Sequence, residues 1–160
     1  MSGKKFQIKT DFIKFSSWND TPEDIQHLLK SAKHISTTAY APFSSFFVGA
    51  AILLENGIVV TGSNQENAAY PSGLCAERVA LFSAHSQFPE QRVVKLVIYA
   101  NSEKHEIKGA ISPCGACRQV ISEYEFLGKE KIEIYMASDE EVIYAEGIES
   151  LLPMRFSLSN

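Results

Sequence analysis

Three cysteines are the residues of this sequence whose type and spacing point most directly to chemistry: Cys75, Cys114 and Cys117. Cys114 and Cys117 are three positions apart, so both sulfur atoms lie on one face of a helix that begins there. Unpaired N–H groups and the dipole at a helix start stabilise thiolates, and Cys75 also stands at a predicted helix start. Two such starts that converge would supply three thiolates to one Zn²⁺, which binds sulfur in tetrahedral geometry.

The number of protein ligands distinguishes a catalytic zinc ion from a structural one. A structural site is closed by four protein ligands, whereas a catalytic site keeps one position for water. Three cysteines leave that position open. Glu77, two residues after Cys75, could take a proton from the water and deliver it to a leaving group. Three thiolates give the centre a net negative charge, which we expect Arg78 and Arg118 to offset by hydrogen bonding to sulfur.

Other interpretations of the cysteines remain open at this point. The main alternative is a structural zinc site closed by His105. A weaker alternative is three ordinary buried cysteines, since free cysteine is often a core residue, but a Pro-Cys-x-x-Cys run at a helix start is poorly suited to a core. An odd number of cysteines without an export signal makes a disulfide framework a poor interpretation. The other histidines are interpreted as surface or core residues: His27, His34 and His85.

The elements that position these residues alternate between helix and strand. Thr21 is a candidate cap for a helix over 22–38, whose apolar residues recur at helical spacing. Strands are predicted at 46–54 and 58–62, and Asn56-Gly57 predicts a tight hairpin between them. The remaining predicted elements are a helix at 75–87, a strand at 93–100, a helix at 114–126, strands at 132–137 and 142–145, and a short C-terminal helix near 148–152.

This order of elements predicts an α/β fold. We expect a three-layer α/β/α sandwich with a five-stranded mixed sheet that carries helices on both faces. Only a few residues join the last two strands, and a parallel crossover needs about a dozen or more. The last strand is therefore predicted to be antiparallel to its neighbour. Residues 1–20 form an apolar N-terminal arm that is expected to pack on the core or at a subunit contact, and residues 21–160 form a single domain.

Composition and charge restrict the class of partner. The chain has 160 residues, a formal net charge of −4 and a pI of about 5.6. An acidic protein is poorly suited to binding a polyphosphate backbone, so we expect a small-molecule substrate and no nucleic acid. No apolar run approaches the roughly 20 residues that span a bilayer, and the N-terminus does not resemble a secretory signal. These features predict a cytoplasmic protein without a membrane partner.

Several motifs in residues 39–156 resemble those of the small, homotetrameric cytidine deaminases. The zinc-binding motif C-x-E…P-C-x-x-C is the Cys₃ variant of the signature shared by zinc deaminases. The other matching segments are Tyr40 to Ala51, Gly62 to Tyr70, Ser112 to Gln119, and Leu151-Leu152-Pro153 followed by Phe156. Two departures are Ser63, where the family often has cysteine, and the longer N-terminal arm.

The resemblance implies zinc-dependent hydrolytic deamination of free cytidine and deoxycytidine. It implies one Zn²⁺ per chain, bound by Cys75, Cys114 and Cys117, with Glu77 as the proton shuttle. It also implies a homotetramer with shared active sites. The substrate contacts that it implies are Asn64 and Glu66 on the ribose 3′-hydroxyl, Phe46 in the pyrimidine pocket, the backbone of Ala76 and Ser112 on the base, Phe156 at a neighbouring subunit's site, and Tyr70 near the interface.

Three competing functions use the same cysteines. A deaminase of a cytosine-containing antibiotic, of the blasticidin type, should lack the Asn64-x-Glu66 clamp for a sugar. A polynucleotide deaminase would need a basic, aromatic-lined groove, which the acidic balance disfavours. A zinc-stabilised binding module would bind the metal without catalysis.

Overall fold

The computed structural model describes residues 3–158, so residues 1, 2, 159 and 160, at the ends of the predicted arm and domain, lie outside the described part. The helices are α1 (Glu23–Ser36), α2 (Ala76–Gln87) and α3 (Gly115–Gly128). The strands are β1 (Ile13–Phe15), β2 (Phe46–Leu54), β3 (Val59–Ser63), β4 (Val93–Ser102), β5 (Glu133–Ala137) and β6 (Val142–Glu146). Short 3₁₀ helices lie at Trp18–Asp20, Tyr70–Ser72 and Ile148–Ser150. Across residues 3–158, no helix combines the length and apolar character needed to cross a membrane.

All six strands form one mixed sheet in the order β1-β6-β5-β4-β2-β3. β4 and β5 are parallel, and every other neighbouring pair is antiparallel. The predicted mixed α/β fold is confirmed, as is the antiparallel pairing of β5 with β6. The prediction of five strands is wrong, because β1 from the N-terminal arm pairs with β6 and places Ile13 opposite Tyr144. This edge strand has only three residues and a partner far along the chain, so no local pattern marks it.

The predicted hairpin at Asn56-Gly57 joins β2 to β3. Leu54 N–H donates to the Ile58 carbonyl at 2.9 Å, and Gly57 N–H donates to the Leu54 carbonyl at 2.9 Å. Gly57 has a φ of +84°, in the left-handed region that glycine enters without steric cost. The turn therefore sets the register in which Gly49 faces Ser63.

The start of α1 differs from the prediction. Thr21 does not cap the helix; Pro22 occupies the N-cap position, and no side-chain cap bond forms. The Thr21 hydroxyl instead donates to the Trp18 carbonyl at 2.6 Å, because the preceding 3₁₀ helix presents that carbonyl. The acidic first turn is present, and Asp24 pairs with Lys95 at 2.7 Å.

Helices cover both faces of the sheet because alternate residues of a strand point to opposite sides. Ala50 and Ile52 of β2 belong to the apolar cluster that contains α2 and α3 residues. Ala51, between them, belongs to the cluster that contains α1 residues. The sheet therefore lies between α1 and the α2–α3 pair, and the starts of α2 and α3 share one face.

Gly62 of β3 fixes how closely α2 approaches the sheet. A Cβ atom added at Gly62 would lie 2.6 Å from the Ala80 nitrogen and 2.7 Å from the Ala76 carbonyl oxygen. No side chain fits between the strand and the helix, so the helix backbone lies directly on the strand. This contact sets the position of the first turn of α2, which carries Glu77 and follows Cys75.

Candidate active site

The three cysteines converge where α2 and α3 begin. Cys75 is the N-cap of α2, Cys114 is the N-cap of α3, and Cys117 lies in the first turn of α3. Their sulfur atoms all lie within 4.8 Å of one another. Cys75 Sγ is 3.8 Å from Cys114 Sγ. The structure thus brings together the three sulfurs that the spacing suggested as ligands.

The sulfur cluster fits one tetrahedral zinc ion. Ligands at a Zn–S distance of about 2.3 Å are about 3.8 Å apart on the edge of a tetrahedron, which is the Cys75–Cys114 separation. Among the described residues, the cluster contains these three cysteines and no histidine or carboxylate, so His105 does not close it. The three cysteines could therefore hold one zinc ion, with no fourth protein ligand among the described residues.

Hydrogen bonds place negative charge on Cys75. Donation from the Cys117 thiol and from Arg78 lowers the pKa of Cys75 to about 5, although burial opposes the shift. Donating to Cys75, together with burial, raises the pKa of Cys117. Arg78 Nη2 lies 3.8 Å from Cys75 Sγ, and Arg78 Nε is buried without a partner. The guanidinium thus lies against the Cys75 sulfur and keeps one buried donor beside the sulfur cluster.

Arg118 does not contact sulfur, so that prediction is wrong. Its Nε donates to the Pro113 carbonyl at 2.8 Å, and its Nη2 donates to Ser112 Oγ at 2.9 Å. Its Nη1 donates to the Leu151 carbonyl at 2.9 Å. Each of its three nitrogens thus has an acceptor, and the guanidinium joins the segment before Cys114 to the C-terminal segment.

Glu77 is a buried carboxyl group beside the sulfur cluster. Its residue is 4% exposed, and its side chain lines the same cleft as Cys75 and Cys114. Burial raises the pKa of Glu77, and a hydrogen bond from its own backbone N–H partly opposes the rise. A carboxyl group in this position can exchange a proton with a molecule bound next to the sulfurs.

A cleft of about 740 Å³ opens over the sulfur cluster. It brings together six residues singled out from the sequence: Phe46, Asn64, Glu66, Cys75, Glu77 and Cys114. Ser112 and Tyr70 also line it. The sequence did not single out the apolar residues Phe43, Val48, Leu74 and Ile98 as lining residues, because nothing in a sequence distinguishes an apolar cleft wall from ordinary core.

Asn64 and Glu66 are fixed by β2 and by the loop before it. Asn64 Oδ1 accepts from Val48 N–H at 2.7 Å, and its Nδ2 donates to the Phe46 carbonyl at 2.9 Å. The Nδ2 group has a second hydrogen to donate. Glu66 Oε2 accepts from Phe43 N–H at 2.8 Å, and a hydrogen bond from Ser44 is the main reason that the pKa of Glu66 is lowered. Each side chain therefore keeps polar capacity toward the cleft.

Two predicted substrate contacts lie outside the cleft lining of a single chain. Ala76 is fully buried, in the first turn of α2. Phe156 is 69% exposed, and its carbonyl accepts from Gln119 Nε2 at 3.0 Å. Tyr70, at the cleft, makes an edge-to-face contact with Phe43 at 5.8 Å between ring centroids.

Comparison with known proteins connects this geometry to a family. Residues 22–132 match the model of the cytidine and deoxycytidylate deaminase zinc-binding region, more than half of the chain. The chain belongs to this deaminase family. The cytidine deaminase of Halalkalibacterium halodurans is 38% identical over 134 residues, which are 84% of this chain and 95% of that protein. That of Sporosarcina psychrophila is also 38% identical over 134 residues, 92% of its own length.

Solved structures of cytidine deaminases share the fold of this family member. The Burkholderia pseudomallei enzyme superposes with a TM-score of 0.69 at 37% identity, covering 82% of this chain and 98% of that one. The Mycobacterium tuberculosis enzyme gives 0.66 at 31% identity, covering 86% of this chain and all of that one. The chain matches the zinc-binding region of the family, and its three sulfurs converge. These two findings identify Zn²⁺ as the cofactor.

Proposed function

We propose that this protein catalyses the zinc-dependent hydrolytic deamination of free cytidine and deoxycytidine to uridine and deoxyuridine. The observation that carries the proposal is the placement of buried Glu77 beside three sulfurs that leave one zinc position open. Relatives named cytidine deaminase, at 38% identity over most of both chains, support the same activity.

Cys75, Cys114 and Cys117 would hold the zinc ion, which, when bound, supplies a Lewis acid that lowers the pKa of water to about 7. Glu77 is the catalytic residue that moves protons. It takes one proton from the attacking water and delivers it to ring N3; it then takes the second proton, from the new C4 hydroxyl, and delivers it to the departing amino group. The C4–O bond forms, the C4–N bond breaks, and ammonia leaves.

The walls of the cleft orient the nucleoside. Phe46 packs against the pyrimidine, and the backbone of Ala76 together with Ser112 binds its polar edge. Asn64 and Glu66 hold the ribose 3′-hydroxyl, with the amide donating to the hydroxyl oxygen and the carboxylate accepting its hydrogen. The bonds that fix these two side chains to β2 and its preceding loop hold them ready for substrate.

The proposal extends to assembly and location. Phe156 and Tyr70, which are 69% and 76% exposed, serve at subunit contacts of a homotetramer in which Phe156 reaches a neighbouring site. Residues 21–160 act as the single deaminase domain, and the N-terminal arm packs on its core or at a subunit contact. Free thiolate ligands are maintained most readily in a reducing compartment, which favours a cytoplasmic role in pyrimidine salvage. Sedimentation velocity of the full chain tests the tetramer. The same measurement on a chain lacking residues 1–18 tests whether the arm contributes to assembly.

An assay of turnover and metal content tests the proposed activity. The purified protein is mixed with cytidine or deoxycytidine, and the loss of cytosine absorbance, the ammonia released and the zinc per chain are measured. We expect one zinc per chain and turnover of both nucleosides. Zinc without turnover would indicate a binding module, and turnover of blasticidin S alone would indicate the antibiotic deaminase. Neither alternative is favoured by the relatives.

A further inference from the structure

We propose that Glu141 is a positioning residue for one wall of the cleft, and that Lys14 of the N-terminal arm assists it. The expected effect on substrate binding rests on the proposed deaminase function, whereas the expected effect on the position of the cleft wall does not. Residues 14 and 141 both lie outside the segment 22–132 that matches the family model. The contact therefore joins the N-terminal arm to the β5–β6 turn, and both of its residues lie outside the matched segment.

Glu141 is anchored on its own side by the turn between β5 and β6. Its carbonyl accepts from Ser138 N–H at 3.0 Å, and its N–H donates to Ser138 Oγ at 3.2 Å. The side chain is 17% exposed and forms an ion pair with Lys14, the middle residue of β1. Because β1 is paired with β6, the arm holds this cation next to the carboxylate.

The carboxylate of Glu141 in turn holds the loop that leads to Cys114. Glu141 Oε1 accepts from Ala110 N–H at 3.0 Å. The neighbouring Gly109 has a φ of +84°, and a Cβ atom there would lie 2.5 Å from Glu141 Oε1. The loop thus packs closely against the carboxylate, and the positive φ makes any residue other than glycine strained at this position.

The loop held by Glu141 is part of the cleft wall. Ala110 packs against the main apolar cluster, and the next two residues, Ile111 and Ser112, line the cleft together with Cys114. One hydrogen bond at Ala110 therefore fixes the chain immediately before the residues that face the base. Loss of that bond frees Ile111 and Ser112 to move, while the sulfur cluster remains tied to α3 through Cys117 and to α2 through Cys75.

Steady-state kinetics with cytidine separate a positioning role from a purely structural one. Glu141→Ala should raise KM about three- to tenfold, the effect of one lost hydrogen bond, with kcat changed less than about twofold and zinc content unchanged. Glu141→Gln keeps an oxygen acceptor for Ala110 N–H and should restore KM to within about twofold of the wild type. Lys14→Ala should raise KM by about twofold at low salt and not at high salt, because exposed ion pairs are weak and screened.

A matched control is Glu106→Ala, which removes an exposed ion pair with Lys108 on the same loop and should leave KM unchanged. Amide hydrogen exchange supplies a readout independent of turnover: residues 109–112 should exchange faster in Glu141→Ala than in the wild type, and β2 should not. An unchanged KM in Glu141→Ala, or an equal rise in Glu106→Ala, overturns the proposal. A wild-type protein that does not deaminate cytidine contradicts the proposed function instead, and the exchange rates then decide the role of Glu141 by themselves.

Discussion

Two buried glutamates, one at the start of α2 and one near the end of α3, show how similar burial serves different ends. Glu77 and Glu125 are 4% and 7% exposed, and burial raises the pKa of each. Glu125 Oε1 accepts from Ile132 N–H at 2.8 Å and from Ile148 N–H at 2.9 Å. Glu77 lines the cleft together with Cys75 and Cys114, and its carboxylate accepts from its own backbone N–H.

The difference lies in what each carboxylate binds. Glu125 joins α3 to the start of β5 and to the C-terminal 3₁₀ helix, so its partners are backbone groups that would otherwise be buried without an acceptor. Glu77 binds little of the surrounding chain and lies in the cleft beside the sulfur cluster, where the proposed zinc ion would bind. A raised pKa marks both residues, and only the surroundings distinguish a proton carrier from a structural acceptor.

The largest expected effect in this comparison is that of Glu77→Gln. The amide keeps the size of the side chain but cannot carry a proton, so kcat should fall by about 10²–10⁴-fold. Zinc content and the unfolding midpoint should stay near wild-type values, because the sulfurs and the packing of α2 are untouched. Metal analysis, denaturation and turnover check the three expectations, and near-normal turnover in a folded Glu77→Gln protein would remove Glu77 from the mechanism.

Glu125→Ala should show the opposite pattern. It leaves two buried N–H groups without an acceptor, at a cost of about 1–3 kcal/mol each in the free energy of unfolding. Turnover per folded molecule should be unchanged. Urea denaturation and kinetics at a temperature well below the transition measure the two quantities. Glu125→Gln is the control, since its amide oxygen can still accept both bonds; a loss of turnover in that variant would contradict the structural role.

A smaller effect is expected at Glu66, a half-buried residue whose carboxyl pKa is lowered rather than raised. Glu66→Gln keeps an oxygen for Phe43 N–H but loses the charge offered to the ribose hydroxyl. KM for cytidine should rise about tenfold, as for loss of one hydrogen bond to a charged group, with kcat less affected. Glu123→Gln, an exposed glutamate of α3 outside the cleft, is the control. Equal KM values in both variants would argue against the sugar clamp.

The smallest expected effect is a pH dependence of stability due to Glu125. Its folded-state pKa is raised by burial, so between its unfolded and folded pKa values the native state binds more protons than the unfolded state. The free energy of unfolding of the wild type should therefore fall as pH rises through this window, relative to Glu125→Gln. Denaturant unfolding of the two proteins across pH measures the difference, and a difference of the opposite sign would show that the two N–H donors outweigh burial.

Much of the fold could be predicted because its signals are local. β2 has the predicted bounds 46–54, and the Asn56-Gly57 turn forms the expected hairpin. The two predicted helix starts, at Cys75 and Cys114, agree with the structure to within one residue. The cysteines at the sulfur end of the cleft could also be identified from local signals, namely the spacing of Cys114 and Cys117 and the two helix starts, whereas the convergence of Cys75 with them depends on the fold.

What could not be predicted depends on contacts between distant segments. β1 forms a strand because its backbone pairs with β6. Arg118 donates to the Leu151 carbonyl rather than to sulfur because the C-terminal segment passes next to α3. Glu125 and Glu141 look like ordinary surface glutamates in the sequence. Their roles arise only when the fold brings Ile132 and Ala110 to them.

X-ray absorption at the zinc edge of the purified protein tests the central claim most directly, namely that three sulfurs hold one zinc ion and leave a place for water beside Glu77. The account predicts one zinc per chain with three sulfur scatterers at about 2.3 Å and one lighter oxygen scatterer. A spectrum with an imidazole or carboxylate from the protein as the fourth ligand, or a protein purified with full turnover and no zinc, would contradict it.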